Sequence, residues 1–274
     1  MKVSLIIAVY KDVQALKLIF ESLAYQTYKN FEVIVAEDGE SLEVEQCTKD
    51  AKKTYNFDII HTIQDDNGVR KQKSQNNGIR ASSGEYLIFI DGDCVLYSTF
   101  IQNHVLLSSS NNIVTGRRVN VGPKYSTMLR KNVIKAKTLE NKFVWYYFDM
   151  KKDAKEERHT EEGFSIKFNG LIHNILKKRK KEMALLGCNM SMYKSSILEI
   201  NGFDEGLGNA GEAGDTDLQW RFKGLGYKII SGRFLVNQFH LYHKRSSHYY
   251  LREESQQMKL NQKNRQYVCK KGII

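Results

Sequence analysis

The chain opens on an apolar run, Val3 to Val9, broken only by Ser4. After Asp12 the residues Val13, Leu16, Ile19, Phe20, Leu23 and Ala24 recur at the spacing of one helix face, with the aspartate placed to cap that helix. A second run, Phe31 to Ala36, ends in Glu37-Asp38-Gly39. This order predicts a βαβ unit. The runs are apolar throughout rather than alternating, which predicts strands covered on both faces, as in a parallel sheet between helices. Phe57 to His61, Tyr86 to Ile90 and Ile113 to Thr115 read as further strands, so the fold class is α/β with a mostly parallel central sheet flanked by helices.

Ligands of open parallel sheets bind beyond the carboxyl ends of the strands. Here those ends carry Tyr10, Glu37-Asp38 and Asp91-Gly92-Asp93. Two carboxylates just past a buried strand repel each other and lose hydration, an arrangement that persists where a cation compensates them. Mg²⁺ or Mn²⁺ does so, and fills its remaining positions with phosphate and water, so the pair predicts a diphosphate ligand. A D-x-D triplet alone is also ordinary in solvated turns. The preceding loop, Gly68 to Gly78, strengthens the reading with Arg70, Lys71, Lys73, Gln75 and Asn76, all donors suited to phosphate oxygens.

Between Tyr125 and Lys181 the texture changes to lysines and aromatics, including Phe143 to Phe148 and an apolar stretch, Ile166 to Leu176, followed by Lys177-Lys178-Arg179-Lys180-Lys181. This insertion reads as helical. Its basic run is either a solvated face or part of an amphipathic segment that lies on an anionic leaflet. A compact region resumes at Leu185, and the tail from about Ser246 reads as a basic surface helix. The formal net charge of +11 suits a phosphate-bearing partner, whether nucleotide, nucleic acid or membrane. No apolar run reaches 18 residues and the N-terminus enters strand-like sequence at once, so neither a signal peptide nor a span is predicted and the cytoplasm is the default. Cys47, Cys94, Cys188 and Cys269 lack any paired spacing and read as buried thiols.

Five stretches, "VSLIIAVYKD", "FEVIVAEDGES", "KSQNNGIRASSGEYLIFIDGDCV", "GCNMSMYKSSILEINGFDE" and "GDTDLQWRFKGLGYK", fall in the order seen in glycosyltransferase family 2. The chain resembles these inverting GT-A enzymes from about Lys2 to Lys244, the lysine-rich insertion apart, and its later part looks like a galactosyltransferase-type C-terminal segment. The resemblance implies one GT-A domain over 1–245, with a nucleotide-sugar half at 1–95, an acceptor half at 96–245 that holds the insertion at about 125–181, and a tail at 246–274. It implies a UDP-sugar donor, with Asp38 accepting from the base and Ala8, Val9 and Tyr10 lining base and ribose. Arg70, Lys73 and Asn76 would face the phosphates. Asp91 and Gly92 would meet ribose or a metal-bound water, and Asp93 would bind Mn²⁺ or Mg²⁺.

The same resemblance gives Asp215 as the base that deprotonates the acceptor hydroxyl, Asn189 and Glu212 as donor or acceptor contacts, and Asp217 as a residue of the helix start. It makes a histidine of "FHLYHK" a metal ligand, His240 ahead of His243, and imidazole favours Mn²⁺ over Mg²⁺. Two departures bear on the acceptor: Gly214 replaces the glutamate usual before the base, and Gly208-Asn209-Ala210 replaces a tryptophan-glycine pair. The implied activity is transfer of a sugar to a glycan or lipid-linked acceptor in surface polysaccharide or lipopolysaccharide synthesis, at the inner face of the membrane. A nucleotidyltransferase is the alternative enzyme, although a glycine-rich loop after the first strand is lacking. A nucleic-acid-binding protein would suit the charge, yet no recognition helix or RNA-binding signature is present.

Overall fold

The computed structural model describes residues 1–155, 159–178, 183–207, 213–244 and 252–274. The predicted βαβ unit is present as β1 (Val3–Val9), α1 (Val13–Ala24) and β2 (Phe31–Glu37). Asp12 caps α1, its Oδ1 accepting from the Ala15 N–H at 3.0 Å. Helix α2 (Leu42–Thr54), β3 (Asp58–Thr62), α3 (Lys71–Ala81) and β4 (Tyr86–Asp91) follow. Then come β5 (Cys94–Leu96), α4 (Phe100–Leu107), β6 (Asn112–Thr115) and β7 (Val119–Asn120).

The lysine-rich insertion is helical as expected: α5 (Pro123–Arg130), α6 (Ala136–Asn141), α7 (Phe143–Asp153) and α8 (Leu171–Lys178). The remaining elements are β8 (Asn189–Tyr193), α9 (Lys194–Glu199), α10 (Ala213–Gly224), β9 (Lys228–Ser231), β10 (Gln238–His240) and α11 (Arg252–Lys263).

Seven strands form one sheet in the order β3-β2-β1-β4-β8-β6-β9, in which only β8 runs against its neighbours. Both faces are covered. Val3, Leu5, Ile7, Val33, Val35, Ile88 and Ile90 point into one core, toward α1, while Ile6, Ile34, Leu87 and Phe89 point into a second, with Ile79 of α3 and Leu218 and Phe222 of α10. That two-sided burial is why the strands read as unbroken apolar runs. A second, three-stranded sheet, β5-β10-β7, sits at the end of β4 and brings the chain's late residues beside its aspartates.

The tail carries the expected surface helix, α11, and its last residues are anchored to the body. Cys269 is buried, and Arg80 donates to the carbonyls of Gly272 at 2.7 Å and Ile273 at 3.1 Å, so the last residues are tied to α3. All four cysteines are buried and unpaired.

Asp217 is also more than a residue of the helix start. It pairs with Arg221 at 2.7 Å, both side chains being 1% exposed, and the same guanidinium donates to the carbonyls of Ile200 at 2.9 Å and Gly202 at 2.8 Å. Removing one partner of a buried pair leaves the other charge uncompensated. Arg221→Ala should therefore destabilise the fold by about 3–5 kcal/mol, read as a lower urea midpoint; a loss under about 1 kcal/mol would contradict this role.

Candidate active site

Strand β4 ends where β1 ends, and Gly92 lets the two backbones touch: its N–H donates to the Ala8 carbonyl at 2.8 Å, and a Cβ there would lie 2.9 Å from that oxygen. The chain then turns, presents Asp93 and enters β5. Antiparallel pairing sets His240 of β10 opposite Cys94, and the Leu241 N–H donates to the Asp93 carbonyl at 2.9 Å. Both histidines of the late motif consequently reach Asp93. His240 Nε2 lies 3.2 Å and His243 Nε2 3.4 Å from Asp93 Oδ2, and one donor atom from each of the three residues falls within 4.8 Å of the others.

Burial pushes the Asp93 carboxyl up, but the hydrogen bond and charge of His240, with His243 behind it, more than offset this and hold it well below the usual carboxylate range. One hard oxygen and two imidazole nitrogens form a donor set that fits Mn²⁺ and suits Mg²⁺ poorly.

The other carboxylate is compensated separately. Asp91 Oδ1 meets Lys71 Nζ at 2.5 Å, an ion-pair contact made from the first residue of α3. Burial works against the Lys71 charge, and the neighbouring Asp91 and Asp215 outweigh it, keeping the ammonium above its ordinary value. Asp215 lies in the first turn of α10, and its Oδ2 accepts from the Gly187 N–H at 2.7 Å. A Cβ at position 187 would stand 2.1 Å from Asp215 Oδ1, so only glycine permits this approach. Burial pushes the Asp215 carboxyl up; Lys71, the Gly187 N–H and Arg118 pull it back, and Asp91 adds to the rise. The result is a carboxylate of raised basicity beside a fixed cation.

The remaining sequence-predicted residues divide. Ala8 and Val9 close β1, and Tyr10 beyond them is 55% exposed, with Lys11 Nζ over its ring at 4.7 Å. Asp38 is buried at the end of β2, where Oδ1 accepts from Gln64 Nε2 and Oδ2 from the Arg70 N–H, both at 2.6 Å. It thus organises the loop that carries the basic residues. Arg70 and Lys73 both turn to Asp65, at 2.9 and 3.6 Å, rather than to Asp91 or Asp93.

Asn76 and Asn189 turn inward. The Asn76 amide bridges α3 to the segment after α9, accepting from the Phe203 N–H at 2.9 Å and donating to the Phe203 carbonyl and to Glu205. Asn189 is fully buried, donates to the carbonyls of Arg117 and Val236, and meets His104 Nε2 at 3.1 Å. Each is saturated by internal partners and presents no group to a ligand. Glu212 lies outside the described residues. At Gly214 a Cβ would come 3.1 Å from Gln72 Nε2, so the Gln72 side chain lines the place a longer residue would enter.

Three residues escaped the sequence reading: Lys71 as the partner of Asp91, Gly187 as the support of Asp215, and Arg118. The Arg118 guanidinium reaches Cys188 Sγ at 3.7 Å and carries charge toward Asp93 and Asp91. Lys71 was visible as one of three neighbouring cations, and the α3 register together with the pull of Asp65 on Arg70 and Lys73 selects it.

Comparison with known proteins agrees with this geometry. The chain is 31% identical over 113 residues to an uncharacterized glycosyltransferase of Rickettsia bellii, a stretch covering 41% of this chain and 16% of that protein. It spans about a fifth of the length of the first curated relatives it matches. Among solved structures, the mannosyltransferase PcManGT of Pyrobaculum calidifontis, in complex with GDP-Man and Mn²⁺, superposes with a TM-score of 0.58 at 15% identity, covering 89% of this chain and 58% of that one. TarS 1-349 of S. aureus in complex with UDP-GlcNAc gives 0.58 at 14% identity, covering 94% and 64%. These likenesses show a GT-A-like fold. The sequence profile of Glycosyl transferase family 2 matches residues 4–180, which take in β1 to α8 and the whole Asp91-Gly92-Asp93 turn, and the chain belongs to that family.

Proposed function

We propose that the chain transfers a sugar, with inversion, from a nucleotide sugar to a hydroxyl of a glycan or lipid-linked acceptor, using a divalent ion held by Asp93, His240 and His243. The observation that carries the proposal is the convergence of those three donor groups at the strand ends where Asp91, Lys71 and Asp215 also meet. When bound, the ion supplies Lewis-acid neutralisation of the departing nucleoside diphosphate. The two imidazoles favour Mn²⁺, the ion in the PcManGT complex. UDP is the favoured nucleotide, as in the TarS complex, with Asp38, Ala8, Val9 and Tyr10 around the base. The likeness of residues 185–244 to a galactosyltransferase-type segment, and a role in surface polysaccharide or lipopolysaccharide synthesis at the cytoplasmic face of the membrane, belong to the same proposal.

The chain's own residues account for the rest. Asp91, neutralised by Lys71, accepts from the ribose hydroxyls. Lys71 offers its remaining N–H groups toward the donor and stabilises the Asp215 anion. Asp215 takes the acceptor hydroxyl proton as that oxygen attacks the anomeric carbon, and the bond to the diphosphate oxygen breaks on the opposite face. Gly187 fixes the orientation of the base through its N–H.

A panel of nucleotide sugars with Mn²⁺, scored by release of the free nucleoside diphosphate, should single out one donor. Asp215→Asn should lower turnover of that donor by about 10²–10⁴-fold while leaving its affinity within about twofold, as removal of a general base does. Full activity in Asp215→Asn, or no turnover of any donor, would contradict the proposal. The pH dependence has a definite sign. Asp215 works ionised and its pKa is raised, so kcat/KM should fall on acidification at a pH above the ordinary aspartate value. Because Lys71 pulls that pKa down, Lys71→Met should move the acid limb to higher pH; an unmoved or lowered limb would rule out the coupling.

A further inference from the structure

Two helices of the insertion leave large apolar side chains in water. On α7, Val144, Trp145 and Phe148 are 67, 86 and 79% exposed; on α8, Leu171, Ile172 and Ile175 are 78, 59 and 49% exposed. Each trio has the spacing i, i+1, i+4 and so occupies one helix face. The other side of α7 has partners: Phe143 and Met150 are buried, and the rings of Phe143 and Tyr147 pack on Phe164 at 5.2 and 4.8 Å. Phe164, which packs on α7, lies seven residues before α8 begins at Leu171. Soluble proteins seldom keep such grouped apolar surface without something to cover it.

Charge indicates what covers it. Lys142, Lys151, Lys152 and Lys155 flank the α7 trio and are exposed. The acidic residues of α7 are turned away, toward α5: Asp149 pairs with Lys124 at 2.5 Å and accepts from the Tyr125 hydroxyl, while Asp153 accepts from the N–H groups of Lys124 and Tyr125. The exposed face thus combines aromatic and aliphatic groups with cations. That composition complements an anionic bilayer, where a tryptophan ring sits at the headgroup boundary and lysines reach lipid phosphates.

We propose that the exposed faces of α7 and α8 form a docking surface for an anionic lipid bilayer, with Trp145, Phe148, Leu171 and Ile172 seated at the headgroup boundary and the flanking lysines on lipid phosphates. No helix among the described residues is long and apolar enough to cross a membrane. The proposal stands apart from the donor chemistry and holds whichever acceptor is used.

The test uses the whole chain with vesicles of phosphatidylglycerol and phosphatidylcholine in equal parts, against phosphatidylcholine alone. Co-sedimentation should be about tenfold or more stronger with the anionic vesicles and should weaken as salt is raised. The chain has two tryptophans, so Trp220→Phe leaves Trp145 as the reporter, and its emission should shift to the blue on binding. The double variant Trp145→Ser/Phe148→Ser should lose about tenfold or more of the partitioning with an unchanged melting temperature, since both side chains lie in water. No binding to anionic vesicles, or binding without a Trp145 shift, would overturn the proposal. So would concentration-dependent self-association that the double variant abolishes, which would assign the face to a second copy of the chain.

Discussion

Two like charges separated by one glycine at the end of a buried strand constitute the constraint around which the site is arranged. Two carboxylates so placed repel each other and lose hydration. They are compensated by different elements: Asp91 by Lys71 from the start of α3, Asp93 by His240 and His243 from the end of the chain's second sheet. Separate compensation gives the two carboxylates separate chemistry. One is neutralised by a fixed ammonium that also reaches Asp215, and the other keeps an oxygen among imidazoles where a divalent ion fits.

The fold makes this arrangement affordable in geometry. Parallel strands bring β1, β2 and β4 to a common edge, and antiparallel β8 begins at that edge, which sets Gly187, two residues before it, beside Asp215. In the small sheet β5-β10-β7, strand β10 brings His240 to Asp93 from about 150 positions away in sequence. The buried Asp217–Arg221 pair holds α10 to the turn after α9, so the helix that presents Asp215 is anchored by a different acid of the same motif.

Much of the fold was legible in the sequence, because β1, β2 and β4 are apolar on both faces and α1 keeps one periodicity from its Asp12 cap. The short and polar strands were not. β7 is two residues long, and β8 carries Asn189 and Ser191 in its buried interior, where they meet His104. Asn76 and Asn189 show a related difficulty: a polar side chain satisfied by internal partners looks, in one dimension, like one waiting for a ligand. Among Arg70, Lys71 and Lys73, which cation meets the strand end depends on the register of α3 and on the competing Asp65. His240, at the end of β10, and His243, just beyond it, both lie against the same Asp93 oxygen, a proximity that their spacing in the chain does not reveal.

The central claim is that Asp93 and its two histidines hold a divalent ion against a nucleotide diphosphate. Calorimetric titration of UDP with and without Mn²⁺ tests it most directly. Mn²⁺ should tighten UDP binding about tenfold or more, equivalent to about 1.4 kcal/mol, in the native chain, and Asp93→Ala should remove the enhancement. UDP binding that ignores Mn²⁺, or an enhancement that survives Asp93→Ala, would contradict it.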